Sequence, residues 1–198
     1  LDIMAPGAGI VAGWVADQNA VVSGTSAAVP FVSGAISVLL GSEPAITVKE
    51  TVDALLMTAD DGGAPGVDPA YGAGILDVGR ALRRYEPGRF DAALASHYLP
   101  ASEADIGQVQ VLVCAQNRGT ETLSVMTVVS EYADTVVERR FINISPGYTV
   151  SMPLAIPLDQ INPEGGLELR SRVTINGTDE NRANDSRTSR LQVDTKVP

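Results

Sequence analysis

The chain has 198 residues, 44% of them apolar and only 5% aromatic, and carries a net charge of −10. That length accommodates one large domain or two small ones, with a core of aliphatic and small side chains. The acidic balance argues against nucleic acid as a partner, because phosphates call for a basic patch. No apolar run reaches the roughly 20 residues needed to span a bilayer. A single cysteine, Cys114, rules out an internal disulfide. It falls in the strand-like run VQVLVCAQN, where a buried thiol is expected.

Taken in chain order, NAVVSG (residues 19 to 24) predicts a short strand leading to Ser26. From Ala27 to Leu40 every residue is apolar or small except Ser33 and Ser37, and Gly41 suits the residue just past a helix end. Such a helix has no polar face and should be buried all round. Pro30 is expected in or beside its first turn, where a missing N–H costs least. TVKE, Thr47 to Glu50, is a capping box, and Val48, Val52, Leu55, Leu56 and Ala59 keep helical spacing behind it. YGAGILDVGRALRR predicts a glycine-rich bend and a short helix closed by Arg83 and Arg84. Residues 85–100 mix turn formers with little periodicity and read as a connector. Beyond it, QVQVLVCAQ, LSVMTVVSE, VVERRFINI, YTVSMPLAI, LELRSRVTI and RTSRLQVD are strand-like, separated by turn signals. In SPGY, proline then glycine suit the central positions of a type II turn. Short strands at this spacing predict a β-sandwich.

SGTSAAVPFVSG, residues 23 to 34, raises the chemical question. Ser26 stands at the start of the apolar helix, where free N–H groups and the helix dipole favour negative charge. Gly24 permits a tight turn, Thr25 adds a short hydroxyl, and Ala27 and Ala28 leave room for a substrate. A serine there is equally suited to capping the helix. As a nucleophile it would need a base for its proton and donors for the oxyanion.

The stretch resembles the serine signature of the subtilisin-like serine peptidases, Gly-Thr-Ser-x-Ala-x-Pro-x-Val-x-Gly. Gly24, Thr25, Ser26, Ala28, Pro30, Val32 and Gly34 match, while Ala27 and Ser33 replace the usual methionine and alanine. LDIMAPGAGI resembles the strand and turn that precede that serine, and DPAYGAGILDVGRAL the bend and last helix of that catalytic domain. The resemblance covers residues 1–84 and implies a doubly wound α/β domain with a parallel central sheet. It implies Ser26 as nucleophile, the Ser26 N–H as an oxyanion donor, Thr25 in support, and a peptide or protein substrate. The family's Asp, His and oxyanion Asn precede its serine, and no such motif occurs here. His97, the lone histidine, follows Ser26 and is expected to be a surface or linker residue rather than a base. Asp2, Asp60 and Asp61 are expected in solvent or turns. The chain therefore reads as the C-terminal part of a longer peptidase, inactive alone. Its apolar helix is expected to drive self-association.

Residues 101–198 resemble the CARDB-type immunoglobulin-like modules found beside bacterial exported enzymes. The resemblance rests on QVQVLVCAQNRGTETLS, SPGYTVSM and DENRANDSRTSRLQV, and implies partner binding and a secreted or cell-envelope location. TDENRAND gathers acids and amides that a calcium ion could use, but lacks the spacing and glycine of an EF-hand loop and reads as a solvated turn. No other cofactor or metal is expected. The fold expected is multidomain: a helix-rich C-terminal part of an α/β subtilisin-like region, then an all-β sandwich. The alternative to a peptidase piece is a non-catalytic binding module with a relic peptidase segment.

Overall fold

Alternation along the later strands decides most of this architecture. The structure is a computed structural model that describes residues 1–100 and 107–192. It divides into two units, one formed by Leu1–Asp60 with Pro69–Tyr85, the other by Asp61–Asp68 with the described residues from Glu86 onward.

The first unit is built around helices. Strands β1 (Ile10–Gly13) and β2 (Asn19–Val22) form an antiparallel hairpin that leads to α1 (Thr25–Ser42). α1 outruns the expected end at Leu40. Gly41 stays helical, Glu43 returns its N–H to the Leu39 carbonyl at 3.0 Å, and Pro44 forbids a further turn. Pro30 is the sixth residue of the helix, beyond the first turn, so the Ser26 carbonyl lacks the N–H that position would normally supply. α2 (Val48–Met57) opens on the expected capping box: the Thr47 N–H donates to Glu50 Oε2 at 2.8 Å, and the Glu50 N–H to Thr47 Oγ1 at 3.2 Å. α3 (Val78–Arg83) is capped by Asp77, which accepts from the Arg80 N–H at 2.9 Å. Ala35, Leu39, Ala54, Leu55 and Ala81 form the small core where these helices meet. An ion pair of 2.6 Å from Arg84 to Glu43 ties the last helix back to the end of α1.

No parallel sheet forms among the described residues of this unit. In its place the N-terminal segment runs beside the glycine bend, with a parallel bridge between Met4 and Ile75. Gly72 makes that approach possible: its φ is +63°, and a Cβ there would sit 2.4 Å from the Asp2 carbonyl oxygen.

α1 is not buried all round. Only Ala35 and Leu39 are buried, whereas Val29, Phe31 and Val38 are exposed. A groove of about 360 Å³, lined by Leu1, Ile3, Val32, Ile36, Val52 and Leu56, stays open along it. With 18 residues and no charged side chain, α1 is long and apolar enough by length and composition to cross a membrane, contrary to the reading from run length. Core helices of soluble proteins share that property.

The second unit is a sandwich of seven strands: β3 (Ala92–Tyr98), β4 (Gln108–Asn117), β5 (Leu123–Tyr132), β6 (Thr135–Ile144), β7 (Thr149–Pro157), β8 (Leu167–Ile175) and β9 (Ser186–Leu191). They pair antiparallel in two sheets, ordered β3-β4-β7 and β6-β5-β8-β9. The stretch read as a connector supplies β3. In β8 the alternation is complete: Leu167, Leu169, Ser171 and Val173 are buried, and Glu168, Arg170, Arg172 and Thr174 are exposed. These residues face Val111, Val113, Met152, Leu154 and Ile156 of the other sheet across one apolar layer. Each large aliphatic in it contributes about 1.5–3 kcal/mol. β6 ends the larger sheet, with Val136 and Ile142 exposed on either side of the exposed Glu138, Arg139 and Arg140. The SPGY turn forms as expected, with Gly147 at φ 76° and the Tyr148 N–H donating to the Ser145 carbonyl at 3.1 Å.

Asn117 closes one end of the sandwich. It is fully buried; its Nδ2 donates to the Glu121 and Ile144 carbonyls, each at 2.8 Å, and its Oδ1 accepts from the Gly119 N–H at 3.0 Å. Asn117→Ala leaves these groups unpaired in a buried corner, and a loss of about 2–4 kcal/mol is expected. Urea denaturation of the variant against the parent chain measures it.

Candidate active site

Two glycines set the direction in which Ser26 leaves the hairpin. Gly24 has φ 143° and ψ 168°, a backbone state that side chains resist. Its N–H donates to the Gly7 carbonyl at 2.7 Å, and a Cβ on Gly7 would lie 3.0 Å from the Gly24 oxygen. Ser23 Oγ accepts from the Gly9 N–H at 2.9 Å, fastening the same crossing from the other side. The helix starts at once, and the Ala27 N–H closes on the Gly24 carbonyl at 3.0 Å.

Gly24 is thus the N-cap, with no side chain capping the helix, and Thr25 and Ser26 are its first two residues. Capping does not account for this serine. Ser26 is exposed, and no hydrogen bond engages its hydroxyl among the described residues. It stands where helix N–H groups have no intrahelical partner and the dipole is positive. Thr25 is exposed beside it, and Ala27 and Ala28 are half-buried.

The carboxylates considered from sequence are placed differently from one another. Asp2 is exposed. Asp60 is not simply solvated: it pairs with the Arg80 guanidinium at 2.8 Å. Asp61 is 4% exposed and belongs to the sandwich unit, where its Oδ2 accepts from the Gly66 N–H at 2.8 Å. Burial raises its pKa; the Thr149 hydroxyl and the Gly66 and Gly62 N–H groups oppose that, and Asp68 adds to it.

His97 is neither a surface nor a linker residue. It lies on β3, and both ring nitrogens are engaged: Nδ1 with Ser189 Oγ and Nε2 with Ser171 Oγ, each at 2.9 Å. Ser171 continues to Ser130 at 2.7 Å, so the ring ties the two sheets through a chain of hydroxyls. Burial, with the Arg187 guanidinium adding to it, pushes the ring down to about 4. A ring with both nitrogens spent has none free to take a proton from a distant hydroxyl.

In the acidic turn, some oxygens serve backbone groups, while Asn184 Oδ1 and Asp185 Oδ1 are buried without a hydrogen bond. Asp179 accepts from the Ala92 and Asn181 N–H groups at 3.0 Å each, and Asn184 Nδ2 donates to Asp91 Oδ1 at 3.0 Å. Among the described residues, no group of three or more His, Cys, Asp or Glu side chains is arranged to hold a metal ion. Asp185 is pushed up to about 6, first by burial and then by Asp179 and Asp91.

The comparisons agree with the part of the chain that carries Ser26. Residues 1–74 match the model of the subtilase family. A stretch of 61 residues is 41% identical to the Neisserial autotransporter lipoprotein NalP of Neisseria meningitidis serogroup B, in strains MC58 and H44/76 alike. That stretch is 31% of this chain and 6% of the relatives' length. Among solved structures, a β-glucosidase from Kluyveromyces marxianus aligns over 54% of this chain and 14% of its own, at 12% identity and a TM-score of 0.25. A likeness that low carries no argument.

The engagement of His97 and the burial of Asp61 had no local sequence signal. Their partners lie 92 and 74 residues from His97 and 55 from Asp61. The His97 arrangement has a measurable consequence. Its folded-state pKa lies below the ordinary 6.5, so the unfolded chain binds the proton first as pH falls. The sandwich should keep its full stability above 6.5 and lose on the order of 2 kcal/mol by pH 4, after discounting for the ring's partial exposure. Chemical denaturation across that window should show the slope, and His97→Gln should flatten it.

Proposed function

We propose that residues 1–84 are the C-terminal part of a subtilisin-like serine endopeptidase domain, with Ser26 as nucleophile and its N–H as an oxyanion donor. Thr25 supports that hole. The observation that carries the reading is the Ser26 hydroxyl: exposed, uncapping, and presented by a helix start whose geometry two glycines fix. Attack by such a hydroxyl on a peptide carbonyl yields an acyl-enzyme only if a base takes its proton and passes it to the amine that leaves as the peptide C–N bond breaks.

The only histidine of this chain is committed to Ser171 and Ser189. The base, its orienting acid and the second oxyanion donor therefore come from a longer peptidase of which this chain is a part, in the order the family resemblance implies. The same remainder covers the exposed face of α1; without it, the chain self-associates through that surface. The sandwich is an immunoglobulin-like module of the CARDB type that binds a partner or the parent enzyme. The NalP match, to a protein named as an autotransporter lipoprotein, supports a secreted or cell-envelope setting.

A non-catalytic binding module with a relic peptidase segment is the second reading, favoured by the occupied ring of His97. A fluorophosphonate probe separates the two. The 198-residue chain should not label and should leave casein intact. The longer protein should label at Ser26, and Ser26→Ala should lower its peptide hydrolysis by at least about 10⁴-fold. Hydrolysis by the longer protein that survives Ser26→Ala would defeat the peptidase assignment.

A further inference from the structure

The outward face of the β3-β4-β7 sheet is buried where alternation would leave it in water. On β4, Val111, Val113 and Ala115 point into the apolar layer, so Cys114 and Gln116 point away from it. Cys114 is nevertheless fully buried, Gln116 is 3% exposed, and Ser96, the β3 partner of Cys114, is 8% exposed.

The segment Asp61–Asp68 is seated there, as part of the same unit. The Asp61 N–H donates to Gln116 Oε1 at 3.0 Å, and Ser96 Oγ donates to the Gly63 carbonyl at 2.6 Å. The segment also braces itself: Asp61 Oδ2 accepts from the Gly66 N–H at 2.8 Å, and Asp68 Oδ2 from the Ala64 N–H at 2.9 Å. Gly63 and Gly66 take φ of 72° and 82° to make the bends. One defect remains in this seat. Asp61 Oδ1 and Thr149 Oγ1 are both buried, and neither makes a hydrogen bond of good geometry, although the hydroxyl is near enough to act on the carboxylate. An unmade bond of that kind weakens the contact that contains it.

We infer that Asp61–Asp68 is a releasable strap, that the face formed by Ser96, Cys114, Gln116 and Thr149 is its docking surface, and that Asp61 is its key. The strap lies within the 74 residues that match the subtilase family, so one stretch of chain serves the peptidase-type sequence and completes the sandwich. Docked, it seals Cys114, whose thiol burial pushes up to about 11. Released, it bares a polar sheet face with a free thiol while the apolar layer on the other side of the sheet stays closed.

Cys114 is the only cysteine, so alkylation of the intact chain by iodoacetamide at pH 8 reads the strap directly. Asp61→Ala should raise the alkylation rate about tenfold or more over the parent chain, with far-UV circular dichroism and the urea midpoint little changed. Asp61→Asn keeps an acceptor for the Gly66 N–H and adds an amide donor facing Thr149 Oγ1, and should slow alkylation below the parent rate. An unchanged rate in Asp61→Ala, or a rate in Asp61→Asn equal to or above the parent's, overturns the proposal. Val113→Ala, which weakens the apolar layer instead, controls for global unfolding: it should lower the urea midpoint, and if Asp61→Ala speeds alkylation only with a matching loss of midpoint, the strap does not open separately. Should Asp61→Ala not fold, Ser96→Ala removes the donor to Gly63; the loss of its contact with the Cys114 thiol acts the other way, by raising the thiol pKa. A faster rate there supports the strap, and an unchanged one overturns it.

Discussion

The apolar layer between the two sheets of the sandwich is the interaction on which this chain's order rests. It is closed: strand after strand turns alternate side chains into it, from Val111 on one sheet to Val173 on the other. Its margins are finished with satisfied polar groups, Asn117 at one corner and the His97 hydroxyl chain between the sheets. The helical unit has nothing comparable. Ala35, Leu39, Ala54, Leu55 and Ala81 are a small core for three helices and a hairpin. Small alanines contribute little burial, and the larger Val29, Phe31 and Val38 face outward.

That contrast bears on mechanism. The placement of Ser26 is local: the Gly7–Gly24 crossing holds the start of α1. What a peptidase also needs, a base and a closed cleft, depends on long-range packing. The chain therefore presents an exposed, locally placed serine on a unit whose apolar surface is incompletely covered. The family match covers Ser26 and this crossing and runs on to residue 74.

Features written by neighbours in sequence were legible before the fold. The Thr47–Glu50 capping box, the Pro146–Gly147 turn and the six strand-like runs after residue 106 all depend on residues within a few positions of one another. The end of α1 was misread because Gly41 resembles a stop signal, while Pro44 is the residue that enforces one. β3 was missed because Ala92, Ala93 and Ala95 carry no strand preference; their smallness suits burial against another sheet, which only the tertiary fold supplies. The relation of Ser26 to the helix cap was not legible, since a serine reads alike at the N-cap and two residues beyond it. The fates of His97 and Asp61 were set by contacts across the chain.

The margin of the larger sheet has a different implication. β6 offers a long row of backbone groups with no neighbour on one side, flanked by the exposed Val136 and Ile142. Midway along it, Glu138, Arg139 and Arg140 crowd three charges that an incoming strand from another molecule would have to strip of water. Growth by strand addition is blocked at that point. On this edge the sequence carries its own guard against the strand-to-strand stacking that builds fibrils.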